Sequence, residues 1–264
     1  MIGIFDSGIG GLTVVRAVLE KLPQYRIVYF GDTARSPYGP KSPKTIIDYA
    51  IENTEFLLSQ GAKIVIMACN SASSVAFESL KDQFSIPIFE VIRPAVKKTL
   101  QLTKRQRVGV IGTRATVGSG IYERLIKEVR PEIEVFSEAC PLLVPLVEEG
   151  WLNRPETKRI VRKYLFSLKM KQVDTLVLGC THYPLLKPII ETKMGKRVRV
   201  IDSSQEAALW VKDYLERNPV TAAELTLSEA EPGHRFFVSD LTPNFERIAK
   251  DFLGRPITLE LSRK

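Results

Sequence analysis

Short apolar runs alternate along the chain with longer segments in which apolar residues recur every three or four positions. The runs predict buried strands, and the periodic segments predict amphipathic helices. The predicted strands are 2–5, 26–30, 63–68, 86–89, 107–112, 133–136, 174–179, 198–202, 234–239 and 257–261. The predicted helices lie near 11–22, 43–60, 71–83, 93–102, 119–129, 141–150, 155–170, 204–217 and 243–253. This alternation indicates an α/β fold with mainly parallel sheets, covered by helices on both faces.

The second half of the chain repeats the pattern of the first. After a basic connector around 103–107, the strand, glycine turn and helix of 107–129 resemble those of 2–22. Likewise "KIVIMACNSAS" resembles "DTLVLGCTHYP", and in each an apolar strand ends beside a cysteine, Cys69 or Cys180. Ligands of open α/β sheets bind outside the carboxyl ends of strands. If the two halves face each other, the two thiols approach one cleft from opposite sides.

The composition sets limits on the class of protein. A chain of 264 residues, 44% hydrophobic and 26% charged, can form one large domain or two medium ones. No apolar run approaches the roughly 18 residues of a membrane span, and no signal-peptide pattern occurs, so we expect a cytoplasmic protein without a membrane partner. Three cysteines, an odd number, argue against a disulfide framework and fit a reducing compartment.

The net charge of +8 raises the question of a nucleic-acid partner. The basic residues are scattered and interleaved with apolar positions of predicted helices, which is more typical of solvated helix faces. Nucleic acid is therefore not expected as the main partner. The densest basic groups are Lys97, Lys98, Lys104, Arg105 and Arg107; Lys158, Arg159, Arg162 and Lys163; and Lys193, Lys196, Arg197 and Arg199.

The settings of Cys69 and Cys180 suggest acid–base chemistry. Asn70 and Ser71 after the first thiol are good helix-start residues, and Pro184 suits a first helical turn after the second. Helix-start N–H groups favour negative charge, so we expect both thiols to ionise more readily than an ordinary cysteine. Inverting a carbon centre requires a base on one face and an acid on the other, which two similar groups can provide. A single-thiol hydrolase or transferase and a binding-only protein are the alternatives.

Two other cysteine interpretations are less well supported. Cys140, in "SEACPLLVP", has no matching strand-end position and is assigned to packing. Cys180 and His182 form a C-x-H pair, but no C-x-x-C or histidine-rich segment completes a usual zinc site. No metal is expected, and His182 is instead a candidate to modulate protonation of the Cys180 thiol.

The segment "FDSGIGG" places Asp6, a hydroxyl and three glycines at the end of the first predicted strand. A dinucleotide site could also use Asp32 as a ribose ligand, but Thr13 stands where the third fingerprint glycine would fall. Asp6 would also repel a pyrophosphate. The glycines more plausibly let backbone N–H groups approach a small carboxylate or amino acid. The loop "RSPYGPKSP" is expected to cover this cleft, with Tyr38 and Gly39 open to a ligand.

The motifs "FDSGIGG", "SPYG", "MACNSAS", "PLLVPLVEEG" and "GCTHYP", in this order and at these spacings, closely resemble bacterial glutamate racemases. These form a family in the cofactor-independent aspartate/glutamate racemase superfamily, and the similarity covers nearly the whole chain. It implies two similar doubly wound α/β domains, 1–92 plus 206–264 and 93–205, with the active site between them. It also implies a homodimer that interconverts L- and D-glutamate without cofactor or metal, supplying D-glutamate for peptidoglycan. Racemisation of aspartate or another acidic amino acid is the nearest alternative.

The resemblance also implies roles for individual residues. Cys69 would act on D-glutamate and Cys180 on L-glutamate, assisted by Asp6 and His182 respectively. Glu148 would be the carboxylate of the "PLVE" segment, with the adjacent Glu149 as the alternative. The family commonly has threonine at the position of Ser71, which keeps the hydroxyl. The implied substrate-contacting residues are Asp6, Ser7, Tyr38, Gly39, Asn70, Ser71, Thr113, Thr116 and Thr181.

Overall fold

The structure is a computed structural model that describes residues 1–225, 233–242 and 245–262. Its strands are β1 Ile2–Asp6, β2 Ile27–Gly31, β3 Ile64–Met67, β4 Ile88–Glu90, β5 Arg107–Gly112, β6 Glu134–Ala139, β7 Thr175–Gly179, β8 Arg199–Asp202, β9 Arg235–Val238 and β10 Glu260–Leu261. Its helices are α1 Leu12–Lys21, α2 Pro43–Ser59, α3 Asn70–Gln83, α4 Ile92–Leu102, α5 Arg114–Gly118, α6 Ile121–Val129, α7 Leu143–Glu148, α8 Pro155–Met170, α9 Lys187–Met194, α10 Ser203–Arg217, α11 Pro219–Leu225 and α12 Phe245–Leu253.

The strands form two parallel sheets, which confirms the predicted fold class. The larger sheet has the order β10-β9-β2-β1-β3-β4, and the smaller has the order β6-β5-β7-β8. All residues of β1, β2, β3 and β7 are buried, so these strands read in the sequence as continuous apolar runs. Each of these four strands has a neighbouring strand on both sides and so lies inside its sheet.

The sheets share an internal strand order. The order β2-β1-β3-β4 in the first sheet corresponds to β6-β5-β7-β8 in the second, with β1 and β5 in equivalent positions. The repeated sequence pattern therefore reflects a repeated topology, and the two cysteine-bearing segments follow equivalent strands, β3 and β7. The first sheet alone is extended by β9, which pairs with β2, and by β10.

Helices α4 and α10 join the two sheets. α10 packs on α1 and α4 and contacts both β4 and β7, while α4 contacts β7 and β8. The proposed domain limits near 92 and 205 fall at the starts of these helices and remain a prediction. Across the described ranges, none of the helices has the length and apolar character needed to cross a bilayer.

Three short helices, α5, α9 and α11, were not predicted from the sequence. Gly118 and Gly120 made α5 resemble a turn, although Thr113 caps it by accepting a hydrogen bond from the Thr116 N–H. Pro188 discouraged a helix at α9, but it occupies the first turn, where no helical N–H is needed. Of the predicted last helix, residues 243 and 244 lie outside the described residues, and β10 is shorter than the predicted strand 257–261.

Candidate active site

The two strand-end cysteines line the same cavity. Cys69 follows β3 and precedes α3, whereas Cys180 follows β7. The cavity between them has about 20 Å³ of space, about enough for one water molecule. Of the residues expected at the site, those that also line it are Ser7, Tyr38, Gly39, Asn70, Ser71, Thr113, Thr181 and His182.

Other expected residues lie behind this lining. Asp6 and Thr116 are buried and Glu148 is partly exposed, and each contacts a residue of the cavity wall. Conversely, Ser36, Pro37 and Val144 line the cavity without having been singled out. Ser36 and Pro37 belong to the loop that was expected to cover the cleft. Val144 lies four residues before Glu148 on α7, a spacing that places both side chains on one helix face.

Cys69 is a buried thiol beside Ser7. Its side chain donates a hydrogen bond to Ser7 Oγ, with Sγ and Oγ 3.5 Å apart. Burial and the negative charge of Asp6 raise the pKa of the Cys69 thiol to about 12, against smaller lowering effects from Ser7 and the Ala72 N–H. The expectation of a readily ionised thiol at the start of α3 is therefore wrong for Cys69, because desolvation outweighs the helix start.

Cys180 has a cationic neighbour. Its Sγ lies 3.8 Å from His182 Nδ1, and His182 Nε2 lies 2.9 Å from Glu148 Oε1. Burial alone would lower the pKa of His182, but the hydrogen bonds to Cys180 and Glu148 prevail and raise it to about 10. The imidazole is then protonated at neutral pH, so both ring nitrogens donate.

Asp6 connects the first sheet to the second. It ends β1 and is fully buried, and its Oδ2 accepts a hydrogen bond of 3.1 Å from the Gly8 N–H. Its Oδ1 accepts from Thr181 Oγ1 at 3.4 Å. Burial raises the pKa of Asp6, although the charge of His182 and N–H groups of the glycine turn act in the opposite direction. Asp6 therefore reaches the cavity through Thr181.

Gly10 and Gly11 of "FDSGIGG" make room for neighbouring side chains of the candidate site. A Cβ on Gly10 would lie 2.5 Å from the His182 ring and from Thr181 Oγ1, and a Cβ on Gly11 would lie 2.4 Å from Asp6 Cβ. Gly10 thus allows the first strand-helix turn to touch side chains that follow β7, and Gly11 allows the turn to pack on Asp6 at the end of β1. The expectation that these glycines let backbone N–H groups approach a ligand stays a prediction.

Hydroxyl groups from the two halves meet at the cavity wall. Ser71 Oγ on α3 and Thr113 Oγ1 after β5 are 2.8 Å apart. The Thr116 N–H donates to Thr113 Oγ1 at 3.2 Å, so Thr116 positions Thr113 and does not itself line the cavity. Nearby, the Ala115 N–H donates to the Gly39 carbonyl at 3.1 Å. These bonds tie the loop over the cleft and the start of α3 to α5.

The Asn70 amide is held from the opposite side. Tyr122 on α6 donates its hydroxyl hydrogen to Asn70 Oδ1 at 2.8 Å, and Asn70 Nδ2 donates to Ser203 Oγ at 3.5 Å. The Tyr122 bond fixes which end of the amide carries the oxygen. Neither Tyr122 nor Ser203 was recognised from the sequence, because their partner is 52 or more positions away.

Asp32 organises the loop that carries Tyr38. It accepts hydrogen bonds from Arg35 Nε at 2.7 Å, from Ser239 Oγ at 3.0 Å and from the Tyr38 hydroxyl. Asn53 Nδ2 in turn donates to the Tyr38 oxygen at 3.0 Å. The Tyr38 hydroxyl is therefore hydrogen-bonded within the protein. Asp32 serves this loop and is not placed as a ribose ligand.

The chain is similar in sequence to one known protein family. A profile of the Asp/Glu/Hydantoin racemase family matches residues 11–210. The chain belongs to this family. It is 46% identical to the glutamate racemase of Geobacter metallireducens over 96% of this chain and 92% of the relative. It is also 46% identical to the glutamate racemase of Aquifex aeolicus, over 97% of this chain and 95% of that relative. These relatives confirm the family resemblance that the motifs indicated.

Solved structures of the family share the complete fold. A glutamate racemase of Bacillus anthracis superposes with a TM-score of 0.92 at 35% identity, covering 100% of this chain and 97% of the other. The Francisella tularensis glutamate racemase, solved with D-glutamate, has a TM-score of 0.90 at 37% identity, with 99% and 97% covered. An aspartate racemase homologue of Pyrococcus horikoshii, 18% identical with a TM-score of 0.59, shares the fold alone.

Proposed function

We propose that this protein interconverts L- and D-glutamate by moving the Cα proton between Cys69 and Cys180, without a cofactor. The observation that carries this proposal is the shared cavity, to which equivalent strand ends of two sheets each contribute one thiol. An acid and a base on opposite faces of Cα are what stereochemical inversion requires. The related enzyme from Francisella tularensis was solved with D-glutamate, which supports glutamate as the substrate class.

The proposed reaction needs one thiol as the acid and the other as the base. Burial raises the pKa of Cys69, which makes Cys69 the proton donor in the direction from L- to D-glutamate, and Cys180, 3.8 Å from the His182 ring, is the base. With L-glutamate bound, the Cys180 sulfur removes the Cα proton and leaves a planar carbanion. The Cys69 thiol then delivers its proton to the opposite face, which gives D-glutamate, a Cys69 thiolate and a Cys180 thiol. Before another L-to-D turnover, Cys180 releases its proton to solvent and Cys69 takes one up, so the protons balance over each catalytic cycle.

The cavity lining supports binding of a small diacid through neutral donors. Ser7, Asn70, Ser71, Thr113 and Thr181 provide hydroxyl and amide groups at its wall. Among the described residues, no lysine or arginine lines the cavity. Because pyridoxal enzymes attach their cofactor to a lysine, this lining supports a cofactor-independent reaction. Hydrogen bonds from neutral groups also leave the substrate able to depart after each turnover.

The decisive experiment follows the circular dichroism of L-glutamate with purified enzyme and no added pyridoxal phosphate. In deuterated water, the D-glutamate formed should carry deuterium at Cα. Cys69→Ala and Cys180→Ala should each lower kcat by about 10²–10⁴-fold, the usual contribution of a general acid or base. Cys140→Ala is the matched control and should remain active. A Cys180→Ala enzyme that racemises at the normal rate would refute the two-thiol mechanism in favour of a single-thiol reaction.

The substrate and the cellular setting need separate tests. Comparing kcat/KM for glutamate and aspartate distinguishes the proposed activity from racemisation of another acidic amino acid. We further propose that a cytoplasmic homodimer supplies D-glutamate for peptidoglycan. Complementation of a bacterial D-glutamate auxotroph tests the metabolic role, and sedimentation velocity tests the dimer. Failure to support growth without D-glutamate, despite activity in vitro, would contradict that role.

A further inference from the structure

Helix α8 presents an exposed face that is both basic and apolar. Its inner face, including Val161, Leu165 and Leu168, is buried. On the outer face, Phe166 is 63% exposed and Met170 is 67% exposed. Three adjoining surface cavities run along this face and the neighbouring part of α9, and Arg162 lines all three. We call this surface the α8 basic face; its cationic members are Lys158, Arg159, Arg162, Lys163, Lys169 and Lys193.

The charges of the α8 basic face are not neutralised within the protein. Across the described ranges, none of its six cations forms an ion pair, and no aspartate or glutamate lines any of the three cavities. Other helices of the protein differ: Arg124 and Lys127 on α6 both pair with glutamates one turn away. An unpaired cluster of this size attracts anionic partners from a distance.

No membrane partner was expected from the sequence, because no apolar run is long enough to span a bilayer, but docking on a membrane surface needs no such run. We propose that the α8 basic face docks on an anionic phospholipid surface. Helices that lie at a membrane interface carry lysine and arginine around exposed apolar side chains. The basic groups contact lipid phosphates, and the apolar groups enter the acyl chains. Phe166 and Met170 are four positions apart and point the same way, so both can enter one interface. A second copy of the chain fits less well, because a two-fold contact through this face would oppose like charges.

Sedimentation with lipid vesicles tests the proposal. We expect the wild-type protein to bind vesicles containing phosphatidylglycerol at low salt and not to bind vesicles of pure phosphatidylcholine. It should be released from the anionic vesicles as the salt concentration rises. The R162E/K163E variant should bind at least tenfold more weakly. Phe166→Ser combined with Met170→Ser should also weaken binding, although the charge is unchanged.

The matched control is K250E/R255E, which exchanges one lysine and one arginine that are exposed on and just after α12. It alters the net charge as much as R162E/K163E and should retain vesicle binding. None of the substituted residues lines the cavity between the thiols, so racemase activity and circular dichroism verify folding in each variant. The proposal would be overturned if the control variant lost as much vesicle binding as R162E/K163E. It would also be overturned if the wild-type protein stayed in the supernatant with every vesicle; that second result would favour an acidic protein as the partner.

Discussion

At the scale of single residues, the two thiols have unequal neighbours. Cys69 is next to the neutral Ser7, and Cys180 is next to a histidine that is itself paired with Glu148. The sequence predicted both cysteines from their strand-end positions and His182 from its spacing. It could not predict how burial would affect Cys69, because desolvation depends on all the elements that close around a side chain. Glu148 came only from the family resemblance, and its contact with His182 is seen only in the structure.

His182 should make stability depend on pH. Its pKa of about 10 in the folded protein exceeds its ordinary value of 6.5, so its stabilising effect is complete below pH 6.5 and is lost as pH rises through 10. We expect the free energy of unfolding to fall by a few kcal/mol, on the order of 1.4 kcal/mol per pKa unit, between these limits. Urea unfolding at pH 6.5 and pH 10 measures this loss. His182→Gln should show a smaller fall, and an equal fall in the variant would contradict the assignment.

Gly10→Ala should damage the site by steric contact. The new methyl group would lie 2.5 Å from His182 and Thr181, and His182 cannot move away without losing Glu148. We expect kcat to fall at least tenfold and stability to fall by about 1–3 kcal/mol, as for other overpacked sites. Gly118→Ala, where nothing lies within 4 Å of the added carbon, is the control. Full activity in Gly10→Ala would show that the two halves do not need this contact.

Tyr122→Phe tests how the Asn70 amide is positioned. Loss of the hydroxyl leaves Asn70 Oδ1 without its donor and allows the amide to rotate. If Asn70 binds substrate equally in the ground and transition states, KM for glutamate should rise several-fold while kcat changes less. Tyr164→Phe, which removes a hydroxyl near the exposed Leu142, is the control. An unchanged KM in Tyr122→Phe would show that the Tyr122 hydrogen bond to Asn70 does not affect substrate binding.

At the scale of secondary-structure elements, the long apolar strands were predictable and the short helices were not. β1 and β7 are buried along their whole length, so hydrophobic pattern alone locates them. α5 has only five residues, too few for a helical period to emerge, and its start depends on the cap at Thr113. Likewise, the pairing of β9 with β2 joins segments about 200 positions apart, which no local pattern specifies.

At the scale of the whole molecule, two sheets with matching strand order enclose a cavity of about 20 Å³. Glutamate is several times larger than the one water molecule that such a space accommodates. We therefore predict that the halves separate to admit substrate. The matched halves were visible in the sequence as repeated motifs, but the degree of closure depends on contacts such as Ser71 with Thr113, which only the folded molecule reveals.

A reversible cross-link across the cleft tests this separation. Ser71 Oγ and Thr113 Oγ1 are 2.8 Å apart, so the S71C/T113C variant should form a disulfide under mild oxidation. We expect the oxidised form to have at least tenfold lower activity than the same protein after reduction. The single variants, treated identically, control for oxidation of native thiols. A cross-linked enzyme as active as its reduced form would show that substrate enters without opening.

The unequal neighbours of the two thiols have a thermodynamic consequence. L- and D-glutamate are mirror images with the same free energy in water, so the equilibrium ratio of the two is unity whatever surrounds each sulfur. The catalytic efficiencies of the two directions must therefore be identical. His182 and Ser7 can make one enantiomer bind more tightly, but that enantiomer must then turn over more slowly in proportion.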